Sequence, residues 1–131
     1  MSHAYDIDTT FVNLGQDGST DLLEVTPSFW PDLVGGKLGA GPGRLVSSFT
    51  FEGAWDNWEV HPNGDEIVVL VEGAADMRFE RADGSVDTLL LDRPGSFVFV
   101  ERGTWHTGCG VPSARMIFIT DGEGTDHRPA E

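Results

Sequence analysis

The stretch Trp58-Glu59-Val60-His61-Pro62-Asn63-Gly64-Asp65-Glu66 places two glutamates and one histidine around a predicted reversal of the chain. Glu59 and His61 are two residues apart, so they share one face of an extended strand. The intervening residues 62–65 are turn formers, and Asn-Gly is a strong signal for a hairpin. The chain resumes at Glu66 with a β-branched run over residues 67–71. We therefore expect a hairpin that returns Glu66 beside Glu59 and His61.

A second stretch of the same character follows forty residues on, as Gly103-Thr104-Trp105-His106. Two carboxylates and two imidazoles that face one cavity would form a divalent-metal site. The candidate metal ligands are therefore Glu59, His61, Glu66 and His106. Nitrogen and carboxylate donors suit Mn, Fe, Zn, Ni or Cu better than Ca or Mg, which prefer shells made of oxygen alone.

The spacing of these residues resembles the first motif of the cupin superfamily. That motif reads glycine, five residues, His-x-His, three or four residues, Glu, six residues and glycine. The corresponding series here is Gly53, five residues, Glu59-Val60-His61, four residues, Glu66, six residues and Gly73. Glu59 thus stands where the first motif histidine usually lies.

The second cupin motif also has a counterpart. It reads glycine, five residues, Pro-x-Gly, two residues, His, three residues and Asn. The series here is Gly95, five residues, Glu101-Arg102-Gly103, two residues, His106, three residues and Gly110. Glu101 replaces the motif proline and Gly110 replaces the asparagine, while the frame is kept.

The resemblance implies an all-β fold, an antiparallel jelly-roll barrel also described as a double-stranded β-helix. Seventeen glycines and seven prolines agree with many turns and short strands. We expect one small barrel domain over residues 1–121 and a flexible C-terminal tail over residues 122–131, where Gly, Glu, Asp, Thr and Pro dominate. The resemblance also implies a homodimer.

Composition excludes several classes of partner. The net charge of −14 argues against nucleic acid and anionic membranes. The sequence has no apolar run of 18 residues, and its first residues lead us to expect no secretory signal. The single cysteine, Cys109, cannot form an internal disulfide, which fits a reducing cytoplasm. We interpret Cys109 as structural.

The four candidate ligands allow more than one arrangement. Two carboxylates would neutralise the charge of a divalent ion and weaken its Lewis acidity. Alternatively, the two histidines and Glu66 would form a facial triad, and Glu59 would be an uncoordinated catalytic base. Taken singly, each of these residues is more often solvated or hydrogen-bonded than ligating. A barrel that has lost its metal and binds a small molecule therefore stays an alternative.

Alternation along the strands predicts the cavity wall. Trp55, Phe49 and Met116 are expected to line the substrate pocket, whereas Trp58 and Trp105 face away from it. Phe29 and Trp30 are expected to plug one end of the core. His3 and His127 lie in polar termini, where no role at the site is expected.

Two functions follow as hypotheses. One is a metal-dependent enzyme that acts on a small organic molecule, of the dioxygenase, isomerase, decarboxylase or lyase type that the resemblance allows. The other is a non-catalytic cupin that binds a small ligand, with or without metal. A storage role has little support in a single barrel of this size. The fold does not choose between the first two.

Overall fold

The computed structural model describes residues 3–130, and in this part of the chain it has nine strands and one short helix. The elements are β1 (Thr10–Gly15), β2 (Thr20–Glu24), α1 (Phe29–Val34), β3 (Gly43–Ala54), β4 (Asn57–Val60), β5 (Glu66–Glu80), β6 (Val86–Leu91), β7 (Phe97–Val100), β8 (His106–Thr120) and β9 (Asp126–Pro129). All strand pairs within it are antiparallel, which confirms the predicted all-β class.

Strand β8 is the centre of the sheet. It pairs with β3 and with β5, and it also meets β4 at one residue pair. Strands β1 and β2 extend the sheet beyond β3, while β6 and β7 both pair with β5. Strand β9 pairs with β4. This connectivity brings β4, β5 and β8 together, and these three strands position the candidate ligands.

The main core lies on one face of β5 and β8 because buried residues alternate along both strands. On β5 the sequence Glu66, Val68 and Leu70 is buried at every second position. On β8 Met116 and Phe118 are buried in the same alternating way. Side chains two apart share a face of a strand, so Glu66 points in the same direction as the apolar core.

Strand β5 is longer than its sequence pattern indicates. The sequence predicts two strands, residues 66–71 and 74–81, separated by a break at Gly73. The structure has one strand with register shifts against β8 on either side of Gly73. A bulge accommodates the irregular residues without ending the pairing.

Helix α1 carries a second, smaller core. Phe29 is buried against Phe11 and Leu23, at the β1–β2 end of the sheet. Trp30 is not buried in this smaller core. Its side chain is 41% exposed and stacks on the ring of Phe49. Phe29 thus forms part of a core, as expected, and Trp30 does not. No helix within residues 3–130 has the length and apolarity needed to cross a membrane.

The predicted flexible tail over residues 122–131 is wrong for residues 126–129, which form β9. The guanidinium of Arg128 lies 5.3 Å from the ring centre of Trp58 and 4.7 Å from that of Trp105. The same guanidinium pairs with the carboxylate of Glu80. The composition of this segment is unfavourable for a strand, but cation–π contacts and an ion pair with distant strands attach it to the barrel.

Candidate metal centre

Strand pairing places the first two candidate ligands side by side. Glu59 on β4 is the register partner of His106, the first residue of β8. His61 follows one residue after the end of β4, and Glu66 opens β5 across the turn. The expected return of Glu66 beside Glu59 and His61 is what the structure shows. Glu59, His61, Glu66 and His106 are called the donor cluster below.

The ligand atoms of the donor cluster converge on one point. One oxygen or nitrogen from each residue lies within 4.8 Å of the other three. The Nε2 atom of His106 is 3.0 Å from Glu66 Oε1 and 3.5 Å from Glu59 Oε1. The Nε2 atom of His61 is 3.4 Å from each of the two glutamates. His106 and Glu66 are fully buried, and Glu59 is the most exposed member at 23%.

Hydrogen bonds behind the histidines turn both Nε2 atoms toward the centre. His106 Nδ1 donates to the carbonyl oxygen of Thr104 at 3.0 Å, because a carbonyl can only accept. His61 Nδ1 lies 2.8 Å from the hydroxyl of Thr125, which itself donates to the carbonyl of Gly122. The Thr125 hydroxyl therefore accepts from His61. This is the outer-shell arrangement that fixes metal-ligating imidazoles.

Three buried atoms of the donor cluster have no aligned hydrogen-bond partner: His61 Nε2, His106 Nε2 and Glu66 Oε1. The other oxygen of Glu66 accepts from the Thr120 hydroxyl. Buried polar atoms are nearly always satisfied, so three unsatisfied atoms at one point need an explanation. A cation bound between them supplies one, since each of the three atoms has a lone pair to donate.

The electrostatics of the donor cluster also favour positive charge at its centre. Burial lowers the pKa of His61, but the adjacent carboxylates of Glu59 and Glu66 outweigh burial and raise that pKa to about 9. The same balance raises the pKa of His106 to about 10. Burial raises the pKa of Glu59, and the two histidines outweigh it and hold that pKa well below its usual range. Protons or a metal ion would supply the charge that the carboxylates attract, and the two compete for the same nitrogens.

The donor cluster opens into a large cavity with a volume of about 1200 Å³. Glu59, His61 and Glu66 line it, as do Phe49 and Trp55. Met116 does not: it is fully buried in the main core beside Leu70 and Val68, so its expected place in the pocket wall is wrong. It lies on the same inward face of β8 as Phe118, which does line the cavity, but it is covered by the main core opposite Leu70 of β5.

Comparison with solved structures identifies the fold. A cupin-2 domain protein from Shewanella frigidimarina is similar with a TM-score of 0.50 and 19% identity, over 60% of this chain and 70% of that protein. Oxalate decarboxylase from Bacillus subtilis, a protein with Mn(II) centres, gives 0.57 and 19%, over 70% of this chain and 25% of that one. Peruvianin-I, a cysteine peptidase from Thevetia peruviana latex, gives 0.57 and 17%, over 68% and 58%.

The chain has the cupin fold. The resemblance of the two motifs is thereby confirmed at the level of the fold. No protein-family model matches the chain, and a comparison with curated proteins finds no match either. The matched region spans little more than half of Peruvianin-I and a quarter of oxalate decarboxylase. Oxalate decarboxylase and a cysteine peptidase differ in activity, so the fold alone assigns none to this chain.

His127 is, with Thr125, a residue beside the donor cluster that the sequence analysis missed. It was expected to have no role, but β9 pairs it with Glu59, and its Nε2 atom lies 3.5 Å from Glu59 Oε2. His127 also lines the cavity and is 54% exposed. Glu59 therefore directs one oxygen to the donor cluster and the other to His127. No sequence pattern indicated this contact, because the tail carried no strand signal.

The structure also gives the positions of the other residues named in the sequence analysis. Trp58 and Trp105 lie against Arg128, on the side of the strands away from the cavity. Cys109 is half-buried on β8 and does not line the cavity. His3 contacts Tyr5, whose ring centre is 4.7 Å away. None of these side chains belongs to the donor cluster.

Proposed function

We propose that this protein is a small cupin that binds one divalent transition metal ion through Glu59, His61, Glu66 and His106. The observation that carries the proposal is the set of three buried donor atoms that converge on one point and make no aligned hydrogen bond. Two nitrogens and two carboxylate oxygens suit Mn, Fe, Zn, Ni or Cu. The two carboxylates balance the charge of a divalent ion, which favours binding in a buried place.

We propose further that the protein is a metal-dependent enzyme acting on a small organic molecule, of the dioxygenase, isomerase or lyase type. A metal in the donor cluster would supply Lewis-acid or redox chemistry at the bottom of the cavity. Glu59 is the member best placed to take part in proton transfer. It lines the cavity, it is the least buried of the four, and its second oxygen faces His127. A Glu59 that leaves the metal would act as a general base.

Metal analysis tests the binding proposal directly. The protein is purified without an affinity tag, and bound metal is measured by elemental analysis for the parent chain and for His61→Ala, His106→Ala and Glu59→Ala. We expect both histidine variants to lose the metal and Glu59→Ala to lose less of it. His127→Ala is the matched control, because it removes a neighbouring imidazole outside the donor cluster and should retain the metal. Circular dichroism checks that each variant is folded.

The possible results distinguish the proposed functions and the two proposed roles of Glu59. Unchanged metal content in both histidine variants would falsify the proposed site. A loss in Glu59→Ala equal to that in His106→Ala would make Glu59 a full ligand and exclude its role as a free base. Retained metal with stoichiometric ligand binding and no turnover would favour the alternative, a non-catalytic ligand-binding cupin.

We also propose that the protein is a homodimer. One row of apolar side chains crosses the outer face of six paired strands, as strand register shows. The row consists of Phe99, Ile67, Ile119, Val46, Val12 and Leu22. It extends about 24 Å, because neighbouring strands lie about 4.8 Å apart. With a net charge of −14, two copies repel each other except where a face lacks charge, so this row is the surface best suited to a second copy.

A further inference from the structure

The cavity above the donor cluster has an aromatic wall. Trp30 from α1 and Phe49 from β3 are stacked, with ring centres 5.8 Å apart and planes inclined by 17°. Trp55 and Phe118 form a second aromatic pair, with centres 5.7 Å apart. All four side chains line the cavity. Trp30 and Phe49 remain about two-fifths exposed, so their outer surfaces are open to a ligand.

The charged residues of the cavity are all acidic or histidine. No lysine or arginine from residues 3–130 lines it, while Asp56, Asp121 and Glu123 add three carboxylates to those of Glu59 and Glu66. A divalent ion would balance the two glutamates of the donor cluster but not the other three groups. The cavity therefore has a negative potential and lacks the guanidinium or ammonium group that holds a carboxylate or phosphate.

Nearby arginines have other partners. Arg44 donates to the carbonyl oxygen of Asp65, and Arg115 pairs with Asp8 at 3.0 Å. A small dianion such as oxalate would thus enter a cavity of about 1200 Å³ with no lysine or arginine side chain in its wall to bind it. The free-energy cost of removing water from this dianion would be offset only by contact with the metal itself.

We propose that the ligand of this cavity is an aromatic molecule without negative charge, with a hydroxyl or carbonyl oxygen directed at the donor cluster. The aromatic part would lie against Trp30 and Phe49, where offset stacking and burial of apolar surface stabilise it. The inference rests on the proposed function only for the hydroxyl or carbonyl oxygen of the ligand, which would coordinate the proposed metal ion. The aromatic and charge preferences depend on the cavity walls alone.

Equilibrium dialysis with two probes of equal ring size tests this inference. The probes are 2-naphthol, which is uncharged at pH 7, and 2-naphthoate, which is anionic. Both are measured against the metal-loaded full-length protein, and metal content is determined in the same samples. We expect 2-naphthol to bind at least tenfold more tightly than 2-naphthoate. Glu123→Lys, which replaces an exposed carboxylate by a cation, should raise the affinity for 2-naphthoate severalfold.

Aromatic truncation locates the binding. Phe49→Ala should weaken 2-naphthol binding at least fivefold and leave metal content unchanged. Phe97→Ala is the matched control, because Phe97 is equally a strand phenylalanine, is 60% exposed and does not line the cavity. Trp30→Ala provides a second wall variant on an exposed helix position should Phe49→Ala fail to fold.

Each result bears on one proposal. Equal or tighter binding of 2-naphthoate, no binding of either probe, or an equal loss in Phe97→Ala overturns the inference, whatever the metal content. A protein that holds no metal but still prefers 2-naphthol through Phe49 refutes the metal-dependent function and leaves the ligand class standing.

Discussion

Thr125 is one of two side chains, with His127, through which the C-terminal segment reaches the donor cluster. It accepts from His61 Nδ1 and donates to the carbonyl of Gly122, so it holds the imidazole with Nε2 facing inward. Thr125→Val keeps the shape but removes the acceptor. We expect it to weaken metal affinity about tenfold, the lower end of the effect of outer-shell partners. Competition with a chelator measures the affinity.

Thr125→Ser distinguishes orientation of His61 from simple packing. Serine keeps the hydroxyl and loses the methyl group, so we expect its metal affinity to stay close to that of the parent chain. If Thr125→Val and Thr125→Ser bind metal equally well, the hydroxyl does not position His61. If both lose metal equally, loss of the hydroxyl has no greater effect than loss of the methyl group, and the orientation argument is wrong.

At this same scale the sequence predicts some residues of the site and misses others for a physical reason. The four members of the donor cluster are found because spacing within one hairpin and one motif brings them to common strand faces. Thr125 and His127 are missed because they reach the cluster only through the return of a distant segment, 64 residues beyond His61 in the case of Thr125. Met116 shares the inward face of β8 with Phe118, which lines the cavity, but it is buried in the main core, because alternation gives the face of a strand and not the depth of a side chain within the barrel.

The irregular part of strand β5 depends on Gly73. Gly73 has φ of +80°, and a Cβ built there would lie 2.1 Å from the carbonyl oxygen of Ser113 on β8. Gly53 has a comparable φ of +65° but open space around the position of its Cβ. The two glycines begin and end the same motif. Because both have a positive φ but only Gly73 is crowded, comparing them distinguishes the cost of the backbone conformation from the cost of the steric clash.

Alanine at these two glycines should have unequal effects on stability. We expect Gly53→Ala to lower the free energy of unfolding by about 1–2 kcal/mol, from the left-handed conformation alone. Gly73→Ala adds a backbone clash, so the loss should reach at least about 3 kcal/mol. Urea unfolding measures both. Similar losses in the two variants would show that β5 moves away from β8 at little cost.

The sequence predicts some strands well and others poorly or not at all. The β-branched run over residues 67–71 indicates the first half of β5, but the bulge that makes β5 continuous has no sequence signal beyond a glycine. Strand β8 is predicted only as two short strands, residues 104–107 and 115–120. Strand β9 was missed entirely. Its pairing with β4 depends on the contacts of Arg128 with Trp58, Trp105 and Glu80, and such tertiary contacts override local propensity.

The whole molecule combines a strongly acidic surface with one uncharged apolar row on its outer face, and this combination predicts the dimer. Phe99→Glu puts a charge into the row, where Phe99 is 60% exposed, and should convert the dimer to a monomer of about 14.2 kDa. Leu90→Glu is the control: Leu90 is 57% exposed but pairs with Asp76, away from the row. Light scattering after size exclusion measures the mass. A parent chain that is already monomeric, or a dimer that survives Phe99→Glu and dissociates in Leu90→Glu, would assign the apolar row no role in association.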